Sequence, residues 1–432
     1  MGVGKMKRLF AFCIGCSLLL GMPNSASAQF WKSMFKKKAK KEQATSSKTN
    51  EQENNIMPKP GPLKRKIDLH YPPSIKKSTY RIDVLVPLNI DELEKSDKRF
   101  PEKSIAGIDF YEGVKLATDT LNMFRYHIQV YVHDIVANGT NAEDLIKKHV
   151  LDSSDLIIGA VQSHDIPGIA QYAKKRQINF ISAYSPSDAG VKDNPYFILP
   201  QPTLQVHCKY LMGYIQKKHP KNKMVLCYRN SSSAEQSAYN YITDNDEPAA
   251  FKKLMCNTMP VREKLALLFD SAHTNILIVP VFDNAFADTL LKQISIWFPN
   301  YDFEVYGMPS WKTLQGLKKP DAFPNMTVYF TSSFYIDPSL HITQSIDKQY
   351  RKEYGGKPAE LVYRAYETMY WYAYLLNEYG TIFNTQFNDK SACLFTKYDI
   401  VTKYDKDMNF LYNENEHIYI YKYQSSSYIV EQ

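Results

Sequence analysis

The sequence lacks the short motifs that mark common enzyme mechanisms. It has no Gly-x-Ser-x-Gly elbow, no His-Glu-x-x-His zinc motif, no P-loop and no Gly-x-Gly-x-x-Gly fingerprint. The ten histidines are scattered along the chain. His133 stands beside Asp134 near a predicted strand end, and we interpret it as a lone exposed side chain. We therefore predict that the chain is not an enzyme and has no metal site and no cofactor.

Cysteine is also scarce. Two of the six cysteines lie in the N-terminal targeting segment described below, and the other four show no Cys-x-x-Cys spacing. These four are Cys208, Cys227, Cys256 and Cys393. Four cysteines permit three pairings, and the sequence does not choose among them. Disulfide bridges and small buried apolar side chains both stay open as interpretations.

Residues 1–28 have the features of a secretory signal peptide. Three basic residues precede the apolar run Leu9–Met22, which is too short to span a bilayer. Ala26-Ser27-Ala28 supplies the small-x-small pattern that signal peptidase cleaves, so we expect the mature chain to begin at Gln29. The protein is therefore predicted to be periplasmic or otherwise exported. A lipoprotein anchored at Cys16 is the alternative that we disfavour.

Residues 29–79 differ in composition from the rest of the chain. They hold 13 Lys and Arg against four Asp and Glu, with polar residues and proline between them, which predicts a basic disordered tether. Residues 29–41 interleave aromatic side chains with lysines, so a contact with an anionic membrane surface and a solvated linker both stay open. Residues 80–432 carry a slight negative charge and leave no basic face, which argues against a nucleic-acid partner.

From Tyr80 onward, short apolar runs alternate with amphipathic segments of helical spacing. The run "DLIIGA" at 155–160 is typical of a buried strand, and "IPGIAQYAKKR" at 166–176 is typical of a helix. This alternation predicts parallel βαβ units in a doubly wound α/β fold. From Leu394 the pattern loses helical spacing and predicts strands and hairpins. Ligands of doubly wound sheets bind at the carboxyl ends of the strands.

Four segments in order carry a resemblance to a known family. They are "GIDFYEGVKLATDTLN" at 107–122, "HDIVANGTNAEDLIKKHV" at 133–150, "DLIIGAVQSHDIPGIAQYAKKRQINFISAYSPSD" at 155–188 and "YGGKPAELVYRAYETMYWYAYLLNEYG" at 354–380. With them, nearly all of residues 80–432 resembles the type I periplasmic binding proteins, in particular the branched-chain amino-acid receptors of the leucine-binding protein family.

The resemblance implies two doubly wound parallel-sheet lobes joined by a multi-strand hinge with three crossovers. Lobe 1 would contain residues 80–201 and 334–392, and lobe 2 would contain residues 202–333 and 393–432. It also implies an exported solute-binding receptor that closes its lobes around a small molecule and feeds an ABC-type permease or a sensor. The alternative is a non-transport envelope interaction module with the same fold, such as a regulator of cell-wall synthesis.

The resemblance places candidate ligand-binding residues at strand ends that face a cleft between the lobes. On lobe 1, helix-starting amides and the Ser163 hydroxyl would hold an anionic group, although Ser163 could instead cap its own helix. The expected set on lobe 1 is Gln162, Ser163, Ala183, Tyr184 and Ser185. The expected set from the later strands is Tyr228, Phe282, Asp283, Trp311 and Tyr335.

The identity of the ligand is less well defined. Amino-acid receptors place an acidic residue at the end of a later strand to pair with the ammonium group, and here Met308 and Pro309 occupy that place. Asp283 is the nearby acid, and it could cap the next helix instead. Because several candidate residues are aromatic, a ring-bearing solute also fits. We therefore expect an amino acid or another small solute, either anionic or ring-bearing.

Overall fold

The computed structural model describes residues 69, 71–95, 100–220, 223–244, 251–319, 322–424 and 427–431. These residues form two compact units. The first unit contains the described residues up to Gln201 together with Ile336–Asn415, and the second contains Pro202–Tyr335 and the described residues from Glu416 onward. The chain passes from one unit to the other at three places. The predicted signal peptide, the Cys16 alternative and the predicted membrane contact of residues 29–41 lie outside the described residues.

The first unit is built around one sheet. Its described strands are β1 (Tyr80–Val86), β2 (Ile128–Asp134), β3 (Leu156–Gly159), β4 (Asn179–Ser182), β5 (Phe197–Leu199), β11 (Ile400–Tyr404) and β12 (Phe410–Asn415). Its described helices are α1 (Ile90–Lys95), α2 (Glu102–Met123), α3 (Ala142–Lys147), α4 (Ile166–Arg176), α9 (His341–Tyr354) and α10 (Glu360–Tyr379), with a 3₁₀ turn at Ala137–Gly139. The strand order is β11-β12-β5-β4-β3-β1-β2.

The second unit repeats this plan. Its described strands are β6 (Met224–Tyr228), β7 (Phe251–Met255), β8 (Asn275–Ile278), β9 (Phe303–Gly307), β10 (Met326–Ser332), β13 (Tyr419–Gln424) and β14 (Ser427–Val430). Its described helices are α5 (Leu204–Lys218), α6 (Ser233–Thr243), α7 (Arg262–Ala266) and α8 (Asn284–Trp297), with 3₁₀ turns at Pro309–Thr313 and Gly316–Lys318. The strand order is β14-β13-β10-β9-β8-β6-β7.

The central strands explain why the sequence pattern predicts parallel sheets. Every residue of β3, β4, β5 and β8 is buried, as expected when helices cover both faces of a sheet. β2 lies at an edge, and its first residues alternate between exposed and half-buried. In each sheet the first five strands are parallel. The predicted fold class, two doubly wound α/β sheets, is confirmed.

Two glycines of α2 permit close approach of backbone segments in the first unit. A Cβ atom at Gly107 would lie 2.2 Å from the Pro87 carbonyl oxygen, and one at Gly113 would lie 2.2 Å from the Val362 carbonyl oxygen. Glycine at these positions lets α2 lie directly beside the end of β1 and against α10. In the described ranges, no helix is both long enough and apolar enough to span a membrane.

The segment from 393 to 432 divides between the two sheets. β12 pairs in parallel with β5, and β11 pairs antiparallel with β12, so both belong to the first unit. β13 pairs antiparallel with β10, and β14 pairs with β13 in the second unit. The prediction that residues 393–432 belong to lobe 2 is therefore wrong for residues 393–415. Strand periodicity identifies a strand but not the sheet edge that it joins.

The residues immediately before β1 are packed against the first unit. The Tyr71 ring lies edge-on to Tyr196 at a centroid distance of 6.0 Å, and the Ser74 hydroxyl donates to the Tyr379 carbonyl at 2.6 Å. Lys77 forms an ion pair with Asp155 at 2.6 Å. The predicted disordered tether of residues 29–79 is therefore wrong for residues 71–79, and its part up to residue 68 lies outside the described residues.

All four cysteines outside the predicted signal peptide are buried and unbridged: Cys208, Cys227, Cys256 and Cys393. They therefore act as small buried side chains in this structure, which is one of the two interpretations that the sequence leaves open.

Candidate functional site

The strand order of each sheet reverses at one place. In the first sheet β1 lies between β2 and β3, and in the second β6 lies between β7 and β8. Loops leaving the strands at such a point diverge, and ligands of doubly wound folds bind there at the carboxyl ends. Ser163 follows β3, Asp283 follows β8 and Tyr228 ends β6. These predicted residues therefore lie at the strand ends where the fold offers binding positions.

Ser163 and Ser185 meet at the carboxyl ends of β3 and β4. Their hydroxyl oxygens lie 3.0 Å apart, and the Ser185 oxygen also accepts a hydrogen bond from the Ser187 amide at 3.2 Å. Ser163 is exposed and Ser185 is buried. Two hydroxyl groups carry two hydrogens, and their mutual bond uses one of them. The second hydrogen has no acceptor among the described residues, so the pair offers one donor.

Ser163 does not cap the helix that follows it. The N-cap position of α4 is Asp165, whose side chain makes no capping hydrogen bond. The Asp165 amide instead donates to the Gln162 carbonyl at 3.1 Å, which closes the turn containing Ser163. The alternative that Ser163 serves only as an N-cap is therefore excluded.

The other predicted residues of the first unit line the same strand ends to different degrees. Gln162 is exposed and Tyr184 is half-buried, so both side chains are accessible in the first unit. Ala183 is only 3% exposed, and its amide donates to the Gly159 carbonyl at 2.9 Å. Ala183 therefore offers a carbonyl group but no free amide.

His133 and Asp134 have structural partners at the end of β2. The His133 imidazole lies 2.7 Å from the carboxylate of Asp83, which is fully buried. Burial disfavours the charge on Asp83, but hydrogen bonds from His133, Arg81 and Ser154 outweigh burial and lower the pKa of its carboxyl group. Asp134 accepts hydrogen bonds from the amides of Leu88, Ile90 and Val136 at 2.9–3.1 Å, which fixes the loop after β1.

Asp283 of the second unit is engaged by two donors. Its carboxylate accepts the Phe286 amide at 3.0 Å as the N-cap of α8 and pairs with the Arg229 guanidinium at 3.0 Å. The Phe286 amide and Arg229 together lower the pKa of the Asp283 carboxyl group. Its charge is therefore balanced within the second unit, and the capping role that the sequence left open is confirmed.

Arg229 and Glu235 organise the loops around Asp283. Glu235 is buried, and its carboxylate accepts the Phe282 amide and the Ser231 amide, each at 3.3 Å. Arg229 lies 3.8 Å from Glu235 and stacks over the Phe286 ring at 4.3 Å. The predicted residue Phe282 is thus held through its backbone, and its side chain is half-buried.

The remaining aromatic candidates differ in their exposure. Tyr228 is half-buried and packs against Tyr239 with ring centroids 4.4 Å apart, and Tyr335 is half-buried beside Tyr419. The structure places Trp311 in the core of the second unit, contrary to the prediction that it lines the site. Trp311 has no exposed surface, and its indole nitrogen donates to the Val281 carbonyl at 2.9 Å.

Two charged residues beside the predicted loops were missed from the sequence: Arg229 and Glu235. Arg229 directly follows β6, and its position after an apolar strand was a usable signal. Glu235 lies in a helix, where a charged residue ordinarily indicates a solvated face. Its charge therefore gave no indication that it would contact the loop at Phe282.

Within the described ranges, no group of three or more His, Cys, Asp or Glu side chains is arranged to hold a metal ion.

The fold and the strand-end loops together define the class of the protein. Two seven-stranded, mainly parallel sheets with flanking helices, connected by three passes of the chain, form the type I periplasmic binding protein fold. Residues 102–245 match the family model described as "Periplasmic binding protein". The chain is thus similar to the type I periplasmic binding proteins, as the sequence motifs predicted. No curated protein matches the sequence.

Several solved structures share this fold at low sequence identity. A branched-chain amino acid ABC transporter periplasmic ligand-binding protein from Burkholderia xenovorans has a TM-score of 0.54 and 12% identity, covering 82% of this chain and 95% of that chain. An ABC transporter substrate-binding protein from Desulfitobacterium hafniense, solved with Leu, has a TM-score of 0.51 and 14% identity, covering 82% of this chain and 100% of that chain.

A third similar structure belongs to a protein with a different name. Full-length LpoA from Haemophilus influenzae has a TM-score of 0.53 and 12% identity. The match covers 83% of this chain and 60% of that chain. At these identities the similarity shows the fold.

Proposed function

We propose that this protein is an exported, non-enzymatic receptor that binds a small solute with loops at the carboxyl ends of its parallel strands. Gln162, Ser163, Ala183, Tyr184 and Ser185 would contribute from the first unit. Tyr228, Phe282, Asp283 and Tyr335 would contribute from the second, where Asp283 acts through its pairing with Arg229. An inner-membrane permease or a sensor would receive the solute.

The observation that carries the proposal is the pair formed by Ser163 and Ser185. The two hydroxyls come from different loops and lie 3.0 Å apart, with one hydroxyl hydrogen left without an acceptor. Because Ser163 is exposed, this donor is open to water or to a ligand. Its position beside the reversal of strand order is where this class of fold binds ligands.

The ABC substrate-binding proteins that share the fold support a role in solute uptake, and one of them was solved with Leu. An amino acid is nevertheless a poor match for the second unit. Met308 is 1% exposed at the strand end where an acid would meet the ammonium group, and Asp283 already pairs with Arg229. We therefore favour a small solute other than a simple amino acid.

The similarity to LpoA supports a second candidate function, an envelope interaction module that does not carry a solute. In that case the strand-end loops would have no small-molecule ligand, and the protein would act through an envelope partner. Membrane contact by residues 29–41 is compatible with either function.

A ligand-dependent thermal shift separates these two functions. The exported chain would be screened against small solutes, and a receptor should show a Tm that rises with the concentration of one solute. Binding at a hundredfold excess over Kd stabilises the folded state by about 2.7 kcal/mol. A chain that shows no shift with any solute but binds an envelope protein would contradict the receptor function.

The proposed export has its own measurement. The intact mass of the protein recovered from the cell envelope should correspond to a chain that begins at Gln29. A lipid-modified chain that begins at Cys16 would replace this proposal with the lipoprotein alternative.

A further inference from the structure

A groove lies on the surface of the second unit, between α8 and the segment that leads into β10. Its volume is about 880 Å³. One wall is a stripe of α8 that includes Asp288, Lys292 and Ile296, and described residues between Gln315 and Pro324 form the other wall. None of the predicted solute-binding residues is among the described residues that line it. The groove is therefore a surface separate from the proposed solute site.

Two sets of hydrogen bonds hold the walls of this groove in place. At one end, the Asp288 carboxylate accepts the Gly316 amide at 3.0 and 3.1 Å. A Cβ atom at Gly316 would lie 2.7 Å from the same carboxylate, so glycine permits this approach. At the other end, the Asn325 side chain donates to the Phe298 carbonyl at 2.8 Å and accepts the Ser295 hydroxyl at 2.6 Å. The second wall is therefore anchored to the region of α8 at both ends.

The groove carries more positive than negative charge. Lys292 and Lys319 are both exposed, and neither lysine is paired with an acid among the described residues. Asp288 is the one acid among the described lining residues, and its two oxygens accept the Gly316 amide. Because complementary charge favours association, an occupant of this groove should carry carboxylate groups.

Apolar surface lies beside the two lysines. Ile296 is a large apolar side chain with 63% of its surface exposed, and Ala322 and Phe323 line the opposite wall. The Gln293 side chain adds an uncommitted amide group, because its Oε1 atom is buried and has no hydrogen-bond partner among the described residues. A buried acceptor without a partner is costly, so an occupant with N–H donors would relieve this cost.

The open shape of the groove favours a peptide over a small molecule. Small-molecule pockets enclose most of the ligand surface, whereas Lys292, Ile296, Gln315 and Lys319 are all exposed along this groove. A peptide segment supplies backbone N–H donors together with acidic and apolar side chains. Residues 29–68 of this chain are strongly basic, so they do not have the charge that the groove requires.

We propose that this groove docks a partner protein through an extended segment in which acidic residues flank one large apolar side chain. The acidic residues would pair with Lys292 and Lys319, and the apolar side chain would pack between Ile296 and Phe323. The inference does not rest on the binding of a solute, because the groove contains none of the predicted solute-binding residues. It assigns to the second unit a docking surface for a protein partner.

Fluorescent seven-residue peptides test this docking surface. Each peptide would have Leu, Phe or Ser at its centre, between flanks made of Glu and Asp, of Gln and Asn, or of Lys. Fluorescence anisotropy at low salt would give the Kd of each peptide for the wild-type chain. Peptides with acidic flanks and an apolar centre should bind roughly 10-fold more tightly than those with neutral flanks, and a Ser centre should also weaken binding.

Charge reversal then tests the groove itself. The double variant Lys292→Glu and Lys319→Glu should bind the acidic peptides roughly 10-fold more weakly than the wild type and should bind the basic peptides instead. The control is Lys209→Glu with Lys264→Glu, at exposed positions of α5 and α7, which makes the same change in net charge and should bind as the wild type does. Ile296→Ser should reduce the preference for an apolar centre.

The outcomes separate peptide docking from its alternatives. Absence of binding by every peptide, equal binding of acidic and neutral flanks, or equal losses in the two double variants would overturn the proposal. If hexanoate displaces the acidic peptide at an equal molar concentration, the groove holds a small amphipathic anion, and the proposal is also overturned. The receptor function is tested separately by the solute-dependent thermal shift, so it does not depend on these results.

Discussion

We expect the second unit to lose stability as the pH falls, because its buried His207 side chain resists protonation. The side chain is 7% exposed on α5, and its Nδ1 atom lies 2.9 Å from the Thr331 hydroxyl on β10. Burial lowers the pKa of His207 to about 3, from an ordinary value of 6.5. Because the folded state resists protonation, the unfolded chain binds the proton first. The contribution of the neutral His207 side chain to the free energy of unfolding is complete above pH 6.5 and is lost progressively as the pH falls toward 3.

The size of the effect follows from the shift in pKa. Each pH unit below 6.5 costs about 1.4 kcal/mol while the folded histidine stays neutral, so at pH 5.0 the contribution of His207 is about 2 kcal/mol lower than at pH 7.5. Urea unfolding at these two pH values would give the change in the free energy of unfolding for the wild type and for His207→Gln. The wild type should lose about 2 kcal/mol more than the variant.

The control for this experiment is Thr331→Val. It removes the hydrogen-bond partner of His207 but not the burial that shifts its pKa, so it should lower stability by about 1 kcal/mol at both pH values and keep the pH dependence of the wild type. Both chains contain the same carboxylates, so the effect of their titration cancels when the free energy of unfolding of His207→Gln is subtracted from that of the wild type. If the two chains lose the same stability between pH 7.5 and 5.0, His207 is not held neutral and the reasoning is refuted.

Three further substitutions test the site and its support. Ser163→Ala should weaken binding of the ligand identified by thermal shift by about 1–2 kcal/mol with little change in the Tm of the free protein. The control Ser345→Ala, on α9, should change neither the affinity nor the Tm. If Ser163→Ala binds the ligand with unchanged affinity, the Ser163 hydroxyl does not belong to the site. Glu367→Ala should lower the free energy of unfolding by about 3 kcal/mol, because the fully buried Glu367 carboxylate accepts hydrogen bonds from the amides of residues 394–396 at 2.6–3.2 Å. If hydrogen exchange of the amides of residues 394–396 is the same in the variant as in the wild type, these hydrogen bonds do not stabilise the segment. Glu112 is 5% exposed, and burial raises the pKa of its carboxyl group to about 7, so the stability that it confers below pH 4.5 is lost as the pH rises through 7. Between pH 4.5 and 8, the free energy of unfolding of Glu112→Gln, measured with urea, should rise by about 3 kcal/mol relative to that of the wild type. Free energies of unfolding that change equally with pH in the two chains would contradict the raised pKa.

The sequence predicts the central part of the fold well, because apolar runs of strand length and helical spacing are local properties. The strand that ends at Gly159 and the strand that ends at Ser182 are both visible as apolar runs. Since their loops leave the same edge of a parallel sheet, the proximity of Ser163 to Ser185 follows from the pattern. The ligand-binding role of this pair stays a prediction.

Features that depend on tertiary packing could not be predicted from local sequence patterns. Trp311 follows a strand, as a binding residue would, but only the structure shows that its ring packs over Gly307, where a Cβ atom would lie 2.1 Å from the indole. Tyr71 lies in a polar, proline-containing segment, and its contact with Tyr196 crosses more than a hundred positions of sequence. Neither contact leaves a periodic signal.

The division of residues 393–432 between the sheets has a consequence for the order in which the protein can form. β5 and β10 are both synthesised with one edge unpaired, and the strands that cover these edges, β12 and β13, are separated from them by many intervening residues. During synthesis, therefore, the first sheet cannot be completed until translation has passed residue 415, and the second cannot be completed until it has passed residue 430. Until then both edges can pair with other chains. A nascent chain that cannot close its sheets stays unfolded longer, and the export that we propose would require an unfolded chain if it uses a secretion channel.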